Sequence, residues 1–211
     1  MNKLGVGYLS YGFLAQKAED FLLRYNPSGL IPIPIEEIVE FKLKVDIVPV
    51  PNLQKDFDIE GFTSSDLQNI FVDDYILSER PTRYRFTLAH EVGHIILHKE
   101  IFTKVKINST KSWISFHENL DDWERSALEF QGYAFGGLIL VPPKDLKKSL
   151  LENLREVNPL IKICRTRKIP RSEYLKYAKE LLASKLVPIF DVSMDVISRR
   201  IEYDKLGKFF P

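Results

Sequence analysis

Two histidines spaced four residues apart, His90 and His94, flank Glu91 within the run Arg85-Phe86-Thr87-Leu88-Ala89-His90-Glu91-Val92-Gly93-His94-Ile95-Ile96-Leu97-His98. On an α-helix these histidines lie about 40° apart on one face, so both imidazoles can converge on a single metal ion. Glu91 stands roughly 100° round from His90. That places it beside a metal rather than on it, where a general base takes a proton from an activated water. The chemistry expected of such a set is metal-assisted hydrolysis.

A hydrolytic zinc needs three protein donors and an open position, so a third ligand must come from elsewhere. The chain offers His98, His117, Asp121, Asp122, Glu124 and Glu129. His98 lies roughly 12 Å along the axis from His90. Donors strung over that length do not meet at zinc-nitrogen distances of about 2.1 Å, so His98 reads as a supporting residue. Glu129 is the better placed. It precedes Gly132 on a separate expected helix, where a small residue lets two helices close together, and Glu124 is the alternative. The two are about 140° apart round that helix, so only one can face the metal. His117, Tyr133 and Arg85 are the candidates for an oxyanion donor.

The elements that must position these groups follow from periodicity. Leu14, Ala18, Phe21, Leu22 and Tyr25 share a helical face that ends at Asn26-Pro27-Ser28-Gly29. Ile31-Pro32-Ile33-Pro34 is extended, and Pro34 can open a short helix. Residues 44–50, 59–63 and 69–72 read as strands, the last two joined as a hairpin through Ser64-Ser65-Asp66. The histidine helix is expected from a Ser78 cap, with Pro81 in its first turn, to about Lys99, apolar on most of its circumference and therefore buried. Residues 100–122 read as a β-hairpin or folded flap, a surface loop and a substrate lid being equally compatible with it. The Asn108-Ser109-Thr110 sequon is discounted. A second long helix spans 122–140, with Trp123, Ala127, Phe130, Ala134 and Leu138 as its expected apolar stripe and Pro142-Pro143 as its stop. Its glycines 132, 136 and 137 cost helix propensity, and close approach at Gly93 is the expected reason.

The chain has 211 residues, 45% of them hydrophobic, enough for one domain with a sizeable core and a small appendage. One cysteine, Cys164, excludes an internal disulfide and a cysteine-based metal cluster. The opening residues lack the apolar block of a signal peptide, and no apolar run reaches the length of a membrane span, so an intracellular protein is expected. From residue 144 onward, 16 Lys and Arg face 9 Asp and Glu, whereas 14 face 20 upstream. A basic tail of this density reads as a solvated helical face, with an acidic partner or nucleic acid as the less favoured reading.

The run from Arg83 to His98 is similar to the basic R-F-T-L-A-H-E-x-G-H-x-x-L-H core of the ImmA/IrrE family of metallo-endopeptidases. Ile59-Glu60-Gly61 and Ile70-Phe71-Val72-Asp73 resemble the strands that precede that core. Glu129-Phe130-Gln131-Gly132-Tyr133-Ala134-Phe135, followed by Leu138-Ile139-Leu140-Val141-Pro142, resembles the helix carrying the family's third ligand. Gly132-Tyr133 stands where the family usually has Ala-Asn, and residues 100–122 resemble an insertion. The segment from Leu186 to Ile201 resembles the F-x-V-S-x-x-x-V-x-x-R-L stretch of many members. It also looks like a helix-turn-helix with Val192-Ser193 at the turn, Arg199 and Arg200 exposed, and Pro188 shortening the first helix.

The resemblance implies an α+β, zincin-like fold: a small, mostly antiparallel sheet on a central H-E-x-x-H helix, a second ligand-bearing helix, and a helical C-terminal region. It divides the chain into a catalytic core, 1–143, and a helical remainder, 144–211. It implies Zn2+ on His90, His94 and Glu129, Glu91 as general base, a cytoplasmic setting, and links to mobile elements and stress responses. The implied partner is a protein substrate, often a helix-turn-helix transcriptional repressor, with no membrane involved. The alternative from another class is a DNA- or repressor-binding module in which the metal is structural or vestigial.

Overall fold

The computed structural model describes residues 4–210. It divides into two compact units, one up to Leu140 and one from Val141.

In the first unit, α1 (Tyr11–Tyr25) starts where the Ser10 hydroxyl accepts the Phe13 N–H, and it buries Leu14, Ala18 and Phe21. After the Ile31–Pro32 cis peptide, Pro34 precedes α2 (Ile35–Glu37), which runs on as a π-helical stretch, Ile38–Leu43. Then come β1 (Asp46–Val50), α3 (Leu53–Phe57), β2 (Gly61–Thr63) and β3 (Asn69–Asp73). The sheet order is β1-β3-β2. β2 and β3 form the expected antiparallel hairpin, with Phe62 opposite Phe71. β1 runs parallel to β3, so the sheet is mixed rather than mostly antiparallel. β2 starts at the end where β1 stops and carries the chain back to the other end, from which β3 runs alongside β1 in the same direction.

Asp73 caps α4 (Asp74–Glu79) through the Ile76 N–H, so Ser78 lies inside that short helix and does not cap the next one. The histidine helix, α5 (Pro81–Leu97), instead begins with Pro81 at its first position, where the missing N–H has no partner to lose. The expected hairpin at 100–122 is helical: α6 (Lys99–Phe102) and α7 (Thr110–Asn119). A reciprocal cap between Ser109 and Ser112 opens α7, and Trp113 and Phe116 bury one face of it. Trp113 and Phe116 are three residues apart, the spacing of one helical turn, and the cap starts the helix that puts them on one face. Trp113 stacks on Phe62 with ring centroids 5.8 Å apart, so α7 joins the core beside the sheet and is no loose loop.

α8 (Asp122–Leu140) ends the first unit, packed against α5 and α1. Its buried face keeps Ala134 and Leu138 of the expected stripe and corrects the aromatic members. Trp123 and Phe130 are 56% and 41% exposed, whereas Leu128, Gln131, Gly132 and Phe135 are buried. The reason is closeness of approach. A Cβ on Gly136 would stand 3.0 Å from the His90 backbone nitrogen, so α8 meets α5 along its glycines and turns Trp123 and Phe130 outward.

The second unit holds α9 (Pro143–Asn153), α10 (Asn158–Thr166), α11 (Arg171–Phe190) and α12 (Met194–Tyr203). Its core includes Leu146, Leu150, Ile161, Leu182, Leu186, Phe190 and Ile197. Pro188 does not shorten α11. It lies in the last turn, and the helix continues to Phe190, after which Asp191 turns left-handed. The Ser193 hydroxyl then caps α12 through the Val196 N–H, the turn expected there. Arg200 is not exposed. It is 3% accessible, donates to the Val141 carbonyl at 3.0 Å and pairs with Asp204 at 2.9 Å. Among the described residues no helix is long and apolar enough to cross a membrane.

Candidate active site

The four-residue spacing on α5 brings His90 Nε2 and His94 Nε2 to 2.9 Å from each other. Glu129, from α8, places Oε2 at 3.3 Å from His90 Nε2. Donor atoms bound to one tetrahedral zinc at about 2.1 Å lie roughly 3.4 Å apart. His94 Nε2 and Glu129 Oε2 thus each approach His90 Nε2 at about the separation of two donors on one zinc, and two imidazoles with a carboxylate are a donor set that could hold that ion. The fit depends on Gly132, at which a Cβ would lie 3.1 Å from both His90 Cε1 and His94 Nε2. A Cβ there would require one of the two rings to shift by a few tenths of an ångström.

The other candidate ligands are engaged elsewhere. Glu124 is buried and accepts the Gly5 N–H at 2.9 Å, pinning the N-terminal segment along α8. Asp121 accepts the Glu124 N–H at 2.7 Å and Asp122 pairs with Arg125 at 3.1 Å, both at the start of α8. His98 caps α5 and turns its ring back to His94, with the two Nδ1 atoms 3.0 Å apart.

Glu91 is buried beside the pair, with Oε1 4.0 Å from His90 Nε2, and the donor atoms of His90, Glu91 and His94 all fall within 4.8 Å of one another. Its Oε2 accepts the Thr63 hydroxyl at 2.8 Å. Burial pushes the Glu91 carboxyl up from 4.5 to about 7, against the pull of His90 and the Thr63 hydrogen bond. A carboxyl tuned near neutrality is suited to exchanging a proton with water. Burial also works against an ionised Glu129, but hydrogen bonds from His117 and His90 hold its carboxyl well below the usual range. It is therefore an anion at neutral pH. Burial, then His90, holds His94 well below its ordinary value, so that ring is neutral.

His117, from α7, lies with Nε2 2.9 Å from Glu129 Oε1, the carboxylate oxygen turned away from His90. Its ring packs on Trp113 at 4.5 Å, so the same helix that covers β2 also orients Glu129. Tyr133 packs on Phe86 at 4.6 Å and turns an edge to His90 at 6.0 Å. Arg85 directs Nη2 to the Ile33 carbonyl at 2.8 Å. Of the three oxyanion candidates, His117 and Tyr133 border the site.

Thr63 and Gln131 were not marked by sequence reasoning. Gln131 carried a signal: it follows Leu128 and precedes Phe135 on one buried helical face, where an amide needs partners. Thr63 carried none, because threonine at the end of a strand is ordinary β-sheet composition.

The family model of the IrrE N-terminal-like domain, Peptidase_M78, matches residues 42–202. No curated protein matches the chain. Among solved structures, a Mycobacterium tuberculosis transcriptional regulator is similar at 14% identity and a TM-score of 0.49, over 92% of this chain and 47% of that one. The chain thus spans about half the length of that protein.

Proposed function

The chain belongs to the IrrE N-terminal-like peptidase family, and from that premise we propose that it is a cytoplasmic, zinc-dependent endopeptidase that cuts a protein substrate of the helix-turn-helix transcriptional repressor class. The observation that carries the reading is the approach of His94 Nε2 and Glu129 Oε2 to His90 Nε2, at 2.9 and 3.3 Å, beside the buried Glu91.

His90, His94 and Glu129 would hold the zinc. When bound, it supplies Lewis acidity toward a peptide carbonyl and lowers the pKa of water. Glu91 takes a proton from water at the carboxylate and passes it to the leaving amine nitrogen. Thr63 fixes which oxygen of Glu91 is free to do so, since Oε2 is held by the hydroxyl. His117 fixes Glu129 in the same way through Oε1. β2 is an edge strand whose last residue is Thr63, so an extended peptide adding to that edge would run beside Glu91.

The test compares wild-type and Glu91→Gln chains, each loaded with zinc, for new protein N-termini generated in a cell lysate. The account expects cleavages made by the wild type that disappear in the variant and after chelation. Identical N-termini in both samples would contradict it. The binding-module alternative finds less support, because Arg200, one of the two arginines it relied on, is buried against Val141 and Asp204.

A further inference from the structure

His94 is joined to the rest of the fold by a run of hydrogen bonds whose direction is settled at its far end. The Gly7 carbonyl can only accept, so the Gln131 amide turns its NH2 toward it, at 2.8 Å. That leaves Gln131 Oε1 facing His98 Nε2 at 2.8 Å. An amide oxygen also only accepts, so His98 carries a proton on Nε2. His94 and His98 are both buried, where a cationic ring is disfavoured, and a neutral imidazole has one proton. The His98 Nδ1 is therefore bare and accepts from His94 Nδ1, 3.0 Å away. The one remaining position, His94 Nε2, is a lone pair aimed at His90 Nε2 and at the place a metal would take.

We propose that the Gly7–Gln131–His98 chain fixes His94 as the tautomer bare at Nε2, and that this makes Gln131 and His98 positioning residues that set how tightly the protein holds zinc. The proposal rests on the zinc reading above. Without the chain, His94 is free to carry its proton on Nε2, which blocks coordination until the proton moves. The chain cannot run in the opposite direction, because the Gly7 carbonyl has no proton to give. Its far end also ties the site to the N-terminal segment, which α8 holds a second time through Gly5 and Glu124.

Two measurements on the full chain test this. In the metal-free wild type, 15N NMR of the histidine rings should find His94 protonated at Nδ1 and bare at Nε2, and His98 protonated at Nε2. A proton on His94 Nε2 overturns the proposal, whatever the variants do. Zinc affinity is then read by competition with a chelator. Gln131→Met, which keeps the bulk and loses the acceptor, should bind zinc about 10- to 100-fold more weakly. Gln131→Glu, which still accepts from His98, should stay within a few-fold of the wild type and serves as the test if the methionine variant does not fold. Wild-type affinity in a folded Gln131→Met chain overturns the tautomer proposal and leaves the zinc reading standing. A wild-type chain that takes up no zinc overturns both.

Discussion

Gly93 on α5 and Gly132 on α8 touch through their backbones: a Cβ built on Gly93 would stand 3.0 Å from the Gly132 Cα and 3.1 Å from its carbonyl oxygen. This contact sets the distance between the helix that carries both histidines and the helix that carries Glu129. Gly93→Ala therefore pushes backbone against backbone, which a rotamer change cannot relieve. The expected cost is about 1–3 kcal/mol, seen as a fall of several degrees in melting temperature, accompanied by weaker zinc binding. An unchanged melting temperature would show that α5 and α8 are not held this close.

Glu91 gives the protein a defined pH response. A carboxyl raised from 4.5 to about 7 keeps its proton in the folded chain where the unfolded chain has lost it. Its contribution favours folding at low pH and fades as the pH climbs through that window. In metal-free protein, Glu91→Gln should therefore gain stability relative to wild type as the pH rises from 4.5 to about 7 and gain no more above it. Denaturant melts of the two chains across that range check the sign. A gap that narrows with rising pH contradicts the placement of Glu91.

His117 binds the Glu129 oxygen that faces away from His90. His117→Ala leaves that carboxylate free to rotate, and zinc affinity should fall about tenfold with little change in stability. Chelator competition and a melting curve on the same preparation separate the two effects. Equal loss of both would mean that His117 serves packing through Trp113 rather than the ligand.

Arg199 and Arg200 are neighbours in sequence with opposite fates. Arg200 is buried between the Val141 carbonyl and Asp204, so Arg200→Ala strands both and should cost about 3 kcal/mol or more. Arg199 pairs with Asp195 on the surface, and Arg199→Ala should change stability by less than about 1 kcal/mol. Comparable effects from the two would contradict the burial of Arg200.

Much of the site was legible because local spacing alone puts His90 and His94 on one face, and because a glutamate upstream of a helical glycine marks a close contact. The same logic gave α8 its limits, since Asp122 and the prolines at 142 and 143 punctuate it. The stripe on α8 was misread because aromatic side chains outweigh glycines in any hydrophobic pattern. Packing at van der Waals distance selects the small residues, and Trp123 and Phe130 turn outward. The 100–122 stretch differs from the expected hairpin because Lys104-Val105-Lys106-Ile107, which alternates like a strand, is only a connection, while the Ser109–Ser112 cap that opens α7 is written in two ordinary serines. The role of Thr63 and the burial of Arg200 against the Val141 carbonyl depend on partners distant in sequence, which no local pattern encodes.

The central claim is that Glu129 completes a zinc site with His90 and His94, and that Glu91 stands beside the metal without binding it. Metal content per folded chain, measured by mass spectrometry after loading and desalting, tests it most directly. The account predicts zinc retained at the same stoichiometry in wild type and Glu91→Gln, and lost in Glu129→Ala. Full zinc in Glu129→Ala, or its loss in Glu91→Gln alone, would contradict it.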